Sequence, residues 1–176
     1  MTLQFSLTGS WPADAVRVLP TYSTPECRYE EMLPDVPQAD IDWLRARLTE
    51  QPLKPKQLEP VRWPSGGPAV WLYGLPKAEG LTIRKMRLAV RDLISQVKLR
   101  ESAQIALNLR ACTLPGLEGA ALLELVCVEA ALAAYEYKEF QTPNPDEPAP
   151  VKLTSLVLWH PDAGEKSLAP ALQAAQ

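Results

Sequence analysis

The chain has 176 residues, 47% of them apolar and 22% charged, with a formal net charge of −3. That length supports one hydrophobic core without staples, and the composition excludes a disordered, collagenous or coiled-coil chain. So small a negative charge argues against general binding to nucleic acid or to an acidic membrane surface.

The 18 prolines are about twice the usual share. Most lie in 12–76 and 143–150, marking those segments as rich in loops and strand edges. The start, MTLQFSLTGSWP, lacks a basic segment followed by a long apolar run, and Cys27, Cys112 and Cys127 share no metal-type spacing. Together these features predict a reduced, cytoplasmic protein. The longest apolar run, 119–135, is interrupted by Glu124 and Glu129, so no membrane span is expected.

LQFSLT at 3–8 alternates Leu3, Phe5 and Leu7 with Gln4, Ser6 and Thr8, predicting a strand with one buried face. AVRVLP at 15–20 offers a second short strand. No period runs through 21–37, which reads as a long surface connection. In ADIDWLRARLTEQ, Asp40 is placed to cap a helix whose Ile41, Leu44 and Leu48 share a face while Arg45 and Glu50 look outward; Pro52 ends it. LEPVRWP at 58–64 reads as an edge strand because Pro60 has no N–H to give a ladder. SGGP turns the chain, and AVWLYGL at 69–75, apolar on both faces, predicts a central strand covered on both sides.

LTIRKMRLAVRDLISQVK has a helical period: Ile83, Met86, Val90, Leu93 and Val97 line one face, with Thr82 as N-cap. SAQIALNLRA at 102–111 predicts a strand, central with 69–75, and Pro115-Gly116 a turn. A helix follows, then a loop at 143–150, a strand at 151–160, and an Ala-rich tail at 163–176 that reads as a weak helix interrupted by Pro170. The order β-β-α-β-β-α-β-α-β-α predicts an α/β fold: a three-layer sandwich, with a mixed, mostly parallel sheet and helices on both faces.

The helix that opens at Pro115-Gly116 is apolar almost all round. Glu118, Glu129 and Glu136 fall in one narrow stripe, expected to be a solvated edge, and nearly everything else to Tyr135 is Ala, Leu, Val or Cys. Such a helix must be covered on several sides, by the sheet and by neighbouring helices or another domain.

The succession VWLYGLPKAEGLTIRKMRLAVRDLISQV, IALNLRA, LLELVCVEAALAAYEYKEFQT, a Pro-rich gap and VKLTSLVLWHP resembles the N-terminal domain of leucyl (cytosol) aminopeptidases over 69–161 and in the first 20 residues. Tyr135, Tyr137, Lys138 and Phe140 stand in that family's Tyr/Phe/Lys stretch. The resemblance implies a macro-domain-like fold for 1–161, with 162–176 as the start of a linker helix to a catalytic domain outside this chain. It also implies a Gly-containing turn between Thr49 and Gln57, where this chain has EQPLKPKQ instead. The family's V-G-K-G-x-T-F-D and N-T-D-A-E-G-R-L segments do not occur here. The implied role is therefore non-catalytic support of assembly or substrate access for that domain or other subunits, a homo-oligomer among them. The two divalent metals would belong to the catalytic domain, and no catalytic or metal-ligating residue is assigned in this chain.

Two rival functions come from other classes. The row Arg84, Arg87, Arg91 and Lys98 on one helix face is the candidate anion- or partner-binding site, and nucleic acid would use the same row, though Asp92 dilutes its field. A macro-like module binding ADP-ribose would need glycine-rich loops to cradle a diphosphate. The chain has only 8 glycines, and Gly66-Gly67 sits between prolines in a turn. His160, the only histidine, is expected to have a structural or surface role, Cys127 to be buried and inert, and Cys27 and Cys112 to be surface thiols without a signal for reactivity.

Overall fold

Alternating and all-apolar segments build a sheet of six strands: β1 (Gln4–Thr8), β2 (Val16–Thr21), β3 (Leu58–Val61), β4 (Val70–Gly74), β5 (Gln104–Asn108) and β6 (Ser155–Trp159). Their spatial order is β1-β6-β5-β2-β4-β3. All neighbours are parallel except β3, which pairs antiparallel with β4 at the edge. The computed structural model describes residues 3–22, 28–77, 80–98, 103–135, 153–161, 163 and 168–175. The helices are α1 (Tyr29–Met32), α2 (Gln38–Glu50), α3 (Ile83–Lys98), α4 (Gly119–Ala134) and α5 (Leu168–Ala175).

The predicted mixed, mostly parallel sheet is present, and it is covered twice. On one face α3 and α4 bury Met86, Val90, Leu93, Leu123 and Val126 against Ile105, Leu107, Leu156 and Leu158. On the other, Ile41 and Leu44 of α2, with Tyr29 and Leu33, pack on Leu19, Val70 and Leu72. Each fully buried Leu or Val contributes roughly 1.5–3 kcal/mol. Pro60 stands on edge strand β3, as expected.

β5 is central, but its central companion is β2 rather than β4, which lies one in from the edge. Two features of β2 disguise this. Arg17 is buried, and its charge is met by Asp35, which accepts two N–H bonds of 2.6 Å. Pro20 lies beyond the stretch Val16–Val18 that pairs with β5, so its missing N–H interrupts no ladder on that side.

Further expectations are corrected. The supposed surface connection 21–37 contains α1, and Tyr29 and Leu33 are among the most buried residues of the chain. Their apolar side chains are too few and too irregularly spaced to show a period. Asp40 is not a cap: α2 begins after Pro37, and Asp40 sits inside its first turn, accepting a bond from Ser65 Oγ. Leu48 is only partly buried. Ile83, the first residue of α3, is 48% exposed, whereas Met86, three residues on, is fully buried in the core. Pro170 falls in the first turn of α5, where an N–H would have no partner, so it starts the helix instead of interrupting it.

Between β1 and β2 the chain crosses β6 and β5 without a helix. Trp11 does the covering: it packs over the small Ala106 and Ala15, and stacks on Trp159 with ring centroids 4.9 Å apart and planes 1° from parallel. Its Nε1–H donates to the Met32 carbonyl at 2.8 Å, and the Arg17 guanidinium lies 5.3 Å from its ring centre. Among the described residues no helix is long and apolar enough to cross a membrane.

Candidate functional site

Helix α3 starts as the sequence predicts, with the Lys85 N–H donating to Thr82 Oγ1 at 3.3 Å. Residues 84, 87 and 91 lie three and four apart and so share a stripe. This stripe borders α4, which runs beside α3 on the same face of the sheet. Arg87 Nε donates to Glu129 Oε1 at 2.5 Å; Arg91 donates from Nε at 2.9 Å and from Nη2 at 2.5 Å to Glu129 Oε2. The carboxylate is 1% exposed, the two arginine side chains 52% and 46%.

Glu129 is therefore not part of a solvated edge. The outer side of α4 is instead mostly apolar, and the acid turns inward to bind α3. Burial alone would push its pKa up, but the hydrogen bonds and charges of Arg87 and Arg91 outweigh that and hold the carboxyl below its ordinary value. Glu118 lies at the N-cap position, and Glu136 falls outside the described residues.

The basic row thus divides by role. Lys98 donates from Nζ to the carbonyls of Ala133 and Ala134, at 3.2 and 3.4 Å, and so meets the C-terminal end of α4, where cations are favoured. Arg87 and Arg91 hold Glu129. Arg84 makes no ion pair among the described residues. Ile83, Arg84, Arg87, Leu88, Arg91 and Glu129 line an open groove of about 460 Å³. With three cations against one anion, the groove carries a surplus of two positive charges. Guanidinium groups keep their protons at neutral pH, and the carboxylate is bound twice, so the groove is suited to holding charge rather than moving protons.

The other candidates are placed apart from this groove. The His160 N–H donates to the Thr8 carbonyl at 3.0 Å, extending the β1–β6 ladder. Cys127 is buried as expected. Cys112 is buried too, against expectation, because a turn at Arg110–Cys112 folds it back under β5; burial pushes both thiols up to about 12. Cys27, Tyr137, Lys138 and Phe140 lie outside the described residues. Gly66 takes φ +75°, and a Cβ on Gly67 would lie 3.0 Å from the Trp63 ring, so this pair folds the chain over an indole. Trp63 Nε1–H then donates to the Pro68 carbonyl at 2.8 Å. Among the described residues no three His, Cys, Asp or Glu side chains come together to hold a metal ion.

Two links went unread in the sequence. Arg17 with Asp35 had no spacing to reveal it, being joined across 18 residues. Glu129 offered a partial signal, as one of two acids inside a mostly apolar run that follows a helix with an arginine row.

No protein-family model matches the chain, and no curated protein matches it. Solved structures do. A point mutant of tomato leucine aminopeptidase superposes with a TM-score of 0.64 at 17% identity, over 98% of this chain and 35% of that one. The bottromycin maturation enzyme BotP, in complex with Mn, gives 0.51 at 19% identity over 93% of this chain and 30% of BotP. A second BotP structure gives 0.51 at 18%, over 91% and 30%. The expected likeness to a leucine aminopeptidase is thus found in the fold, and the chain spans about a third of the length of these neighbours.

Proposed function

We propose that this chain is a non-catalytic α/β domain of aminopeptidase type, which supports assembly or substrate access for a separate metallopeptidase half or for other subunits. The observation that carries this reading is the fold likeness, which takes in 98% of this chain but 35% of the leucine aminopeptidase. In the leucine aminopeptidase about two thirds of the chain lies outside the matched part, and the proposed role is to serve a region of that kind. The α3–α4 face adds to the reading, with Arg87 and Arg91 held by Glu129 beside aliphatic side chains exposed on both helices. A cytoplasmic location goes with it.

The test is an assay of the purified chain against a leucine chromogenic amide, with and without manganese or zinc. No turnover is expected, because metal catalysis needs a ligand set that fixes the ions and leaves a position open for substrate. Metal-dependent turnover that survives repurification would overturn the reading. Calorimetric titration with ADP-ribose gives a second check: micromolar binding would replace this reading with a nucleotide-binding one.

A further inference from the structure

The outer surface of α4 has a regularity that neither the fold nor the groove uses. Ala121, Leu125, Val128 and Leu132 follow one another at spacings of four, three and four residues, and Tyr135, three further on, caps the end of the helix beside them. That is the spacing of a seam into which a second helix inserts its side chains. Val128 is 40% exposed, Leu132 53% and Tyr135 71%, and Leu125 is partly buried.

Charge borders the seam unevenly. At about 100° per residue, Glu129 and Glu124 fall on opposite flanks of it. The Glu129 flank faces α3 and its arginines, with two positive charges in surplus. The other flank faces α5 and carries Glu124, which is exposed. The axial level is set by the ion pairs. Arg87 and Arg91 both reach Glu129, so on the parallel helix α3, Arg84 stands one turn or so earlier, near the level of Leu125 and Glu124.

We propose that this seam is a twofold interface between two copies of this chain, with α4 packed parallel to its equivalent. A twofold axis along the helix keeps axial levels and exchanges flanks. The α3 flank of one copy then meets the α5 flank of the other, and Arg84 of each faces Glu124 of its partner at the same level. The apolar seam closes between them. Self-complementarity of this kind is what an isologous interface requires. Nucleic acid fits the face poorly, because aliphatic side chains occupy its middle. The proposal rests on the seam and its charges and does not depend on any link to a peptidase, so inactivity of the chain and dimer formation are separate outcomes.

Sedimentation equilibrium of the full chain from 5 to 200 μM is the test, with melting temperature as the control for folding. The wild type is expected to form dimers, and Leu132→Glu to weaken association more than tenfold. Arg84→Glu and Glu124→Arg are each expected to weaken it, and the double variant Arg84→Glu/Glu124→Arg to recover it. A wild type that stays monomeric at 200 μM overturns the proposal, as does a dimer indifferent to Leu132→Glu. Failure of the double variant to recover overturns the parallel twofold pairing on which the proposal stands.

Discussion

Arg91 holds Glu129 through two N–H groups on one carboxylate oxygen, at 2.9 and 2.5 Å, while Arg87 takes the other oxygen at 2.5 Å. Two helices that follow different strands are thereby locked at one axial level. The acid is buried and its partners reach water, so desolvation falls on one charge and is answered by two.

Replacing Glu129 with Gln is expected to cost about 1–2 kcal/mol at neutral pH, less than a fully buried pair because both arginines are half exposed. The pH dependence has a definite sign. The native carboxyl titrates below its ordinary value of 4.5, so its contribution is present above that value and is lost as the pH falls through the lowered native one. Urea unfolding at steps from pH 7 to 3 should show the gap between wild type and Glu129→Gln narrowing below about pH 4.5. Parallel curves through that range would mean that the ion pairs do not stabilise the fold.

Much of the fold was legible because single residues carried it. Leu3, Phe5 and Leu7 alternate, Thr82 caps α3, and Pro60 marks an edge. What was not legible depends on contacts across the chain. Arg17 and Pro20 make β2 look peripheral, and only Asp35 and the short register with β5 explain its central place. Glu129 and Glu124 lie on the same helix and look alike in sequence, yet one is buried in an ion-pair clamp and the other is exposed. Burial of Cys112 follows from a tight turn that no periodicity announces.

The segment EQPLKPKQ, where a glycine turn was implied by resemblance, makes a turn with lysine instead. Lys56 adopts φ +66°, and its N–H donates to the Gly74 carbonyl at 2.7 Å. The approach is so close that a Cβ on Gly74 would strike the Lys54 carbonyl oxygen, only 2.0 Å away. Gly74→Ala must therefore displace backbone and is expected to lose more than about 3 kcal/mol, in the range of severe steric changes. Lys56→Gly should be neutral or stabilising by up to about 1 kcal/mol, since the left-handed conformation costs a side-chain-bearing residue about 1–2 kcal/mol. Chemical denaturation of both variants checks the pair; a Lys56→Gly loss above 1 kcal/mol would mean that the lysine side chain stabilises the turn.

Cys112 and Cys127 are both buried, and that burial raises both thiols to about 12, so at pH 8 almost no thiolate is present. In a Cys27→Ser background, neither should react with a disulfide reagent at pH 8 until the chain unfolds, and urea should release two thiols at the unfolding midpoint. Rapid labelling of one thiol in native buffer would show that its part of the core opens locally.

Helix α5 packs against α4 and β1, and its Leu168 is 1% exposed. The resemblance implies that 162–176 starts a linker helix, and within that segment the Leu168 side chain packs inside the domain. Leu168→Ala removes buried methyl groups and leaves a cavity that the short helix can partly close, so a loss of about 2–3 kcal/mol is expected. The mutation also separates two roles for the segment. If α5 only linked this domain to another, the isolated chain would unfold at the same denaturant concentration with Leu168 or Ala there. If it completes the layer beside α4, the midpoint falls with unchanged slope. A truncation ending at residue 163 should then lose at least as much stability as Leu168→Ala, because it removes the whole contact with α4; equal midpoints for the truncated and full-length chains would assign α5 to linkage alone.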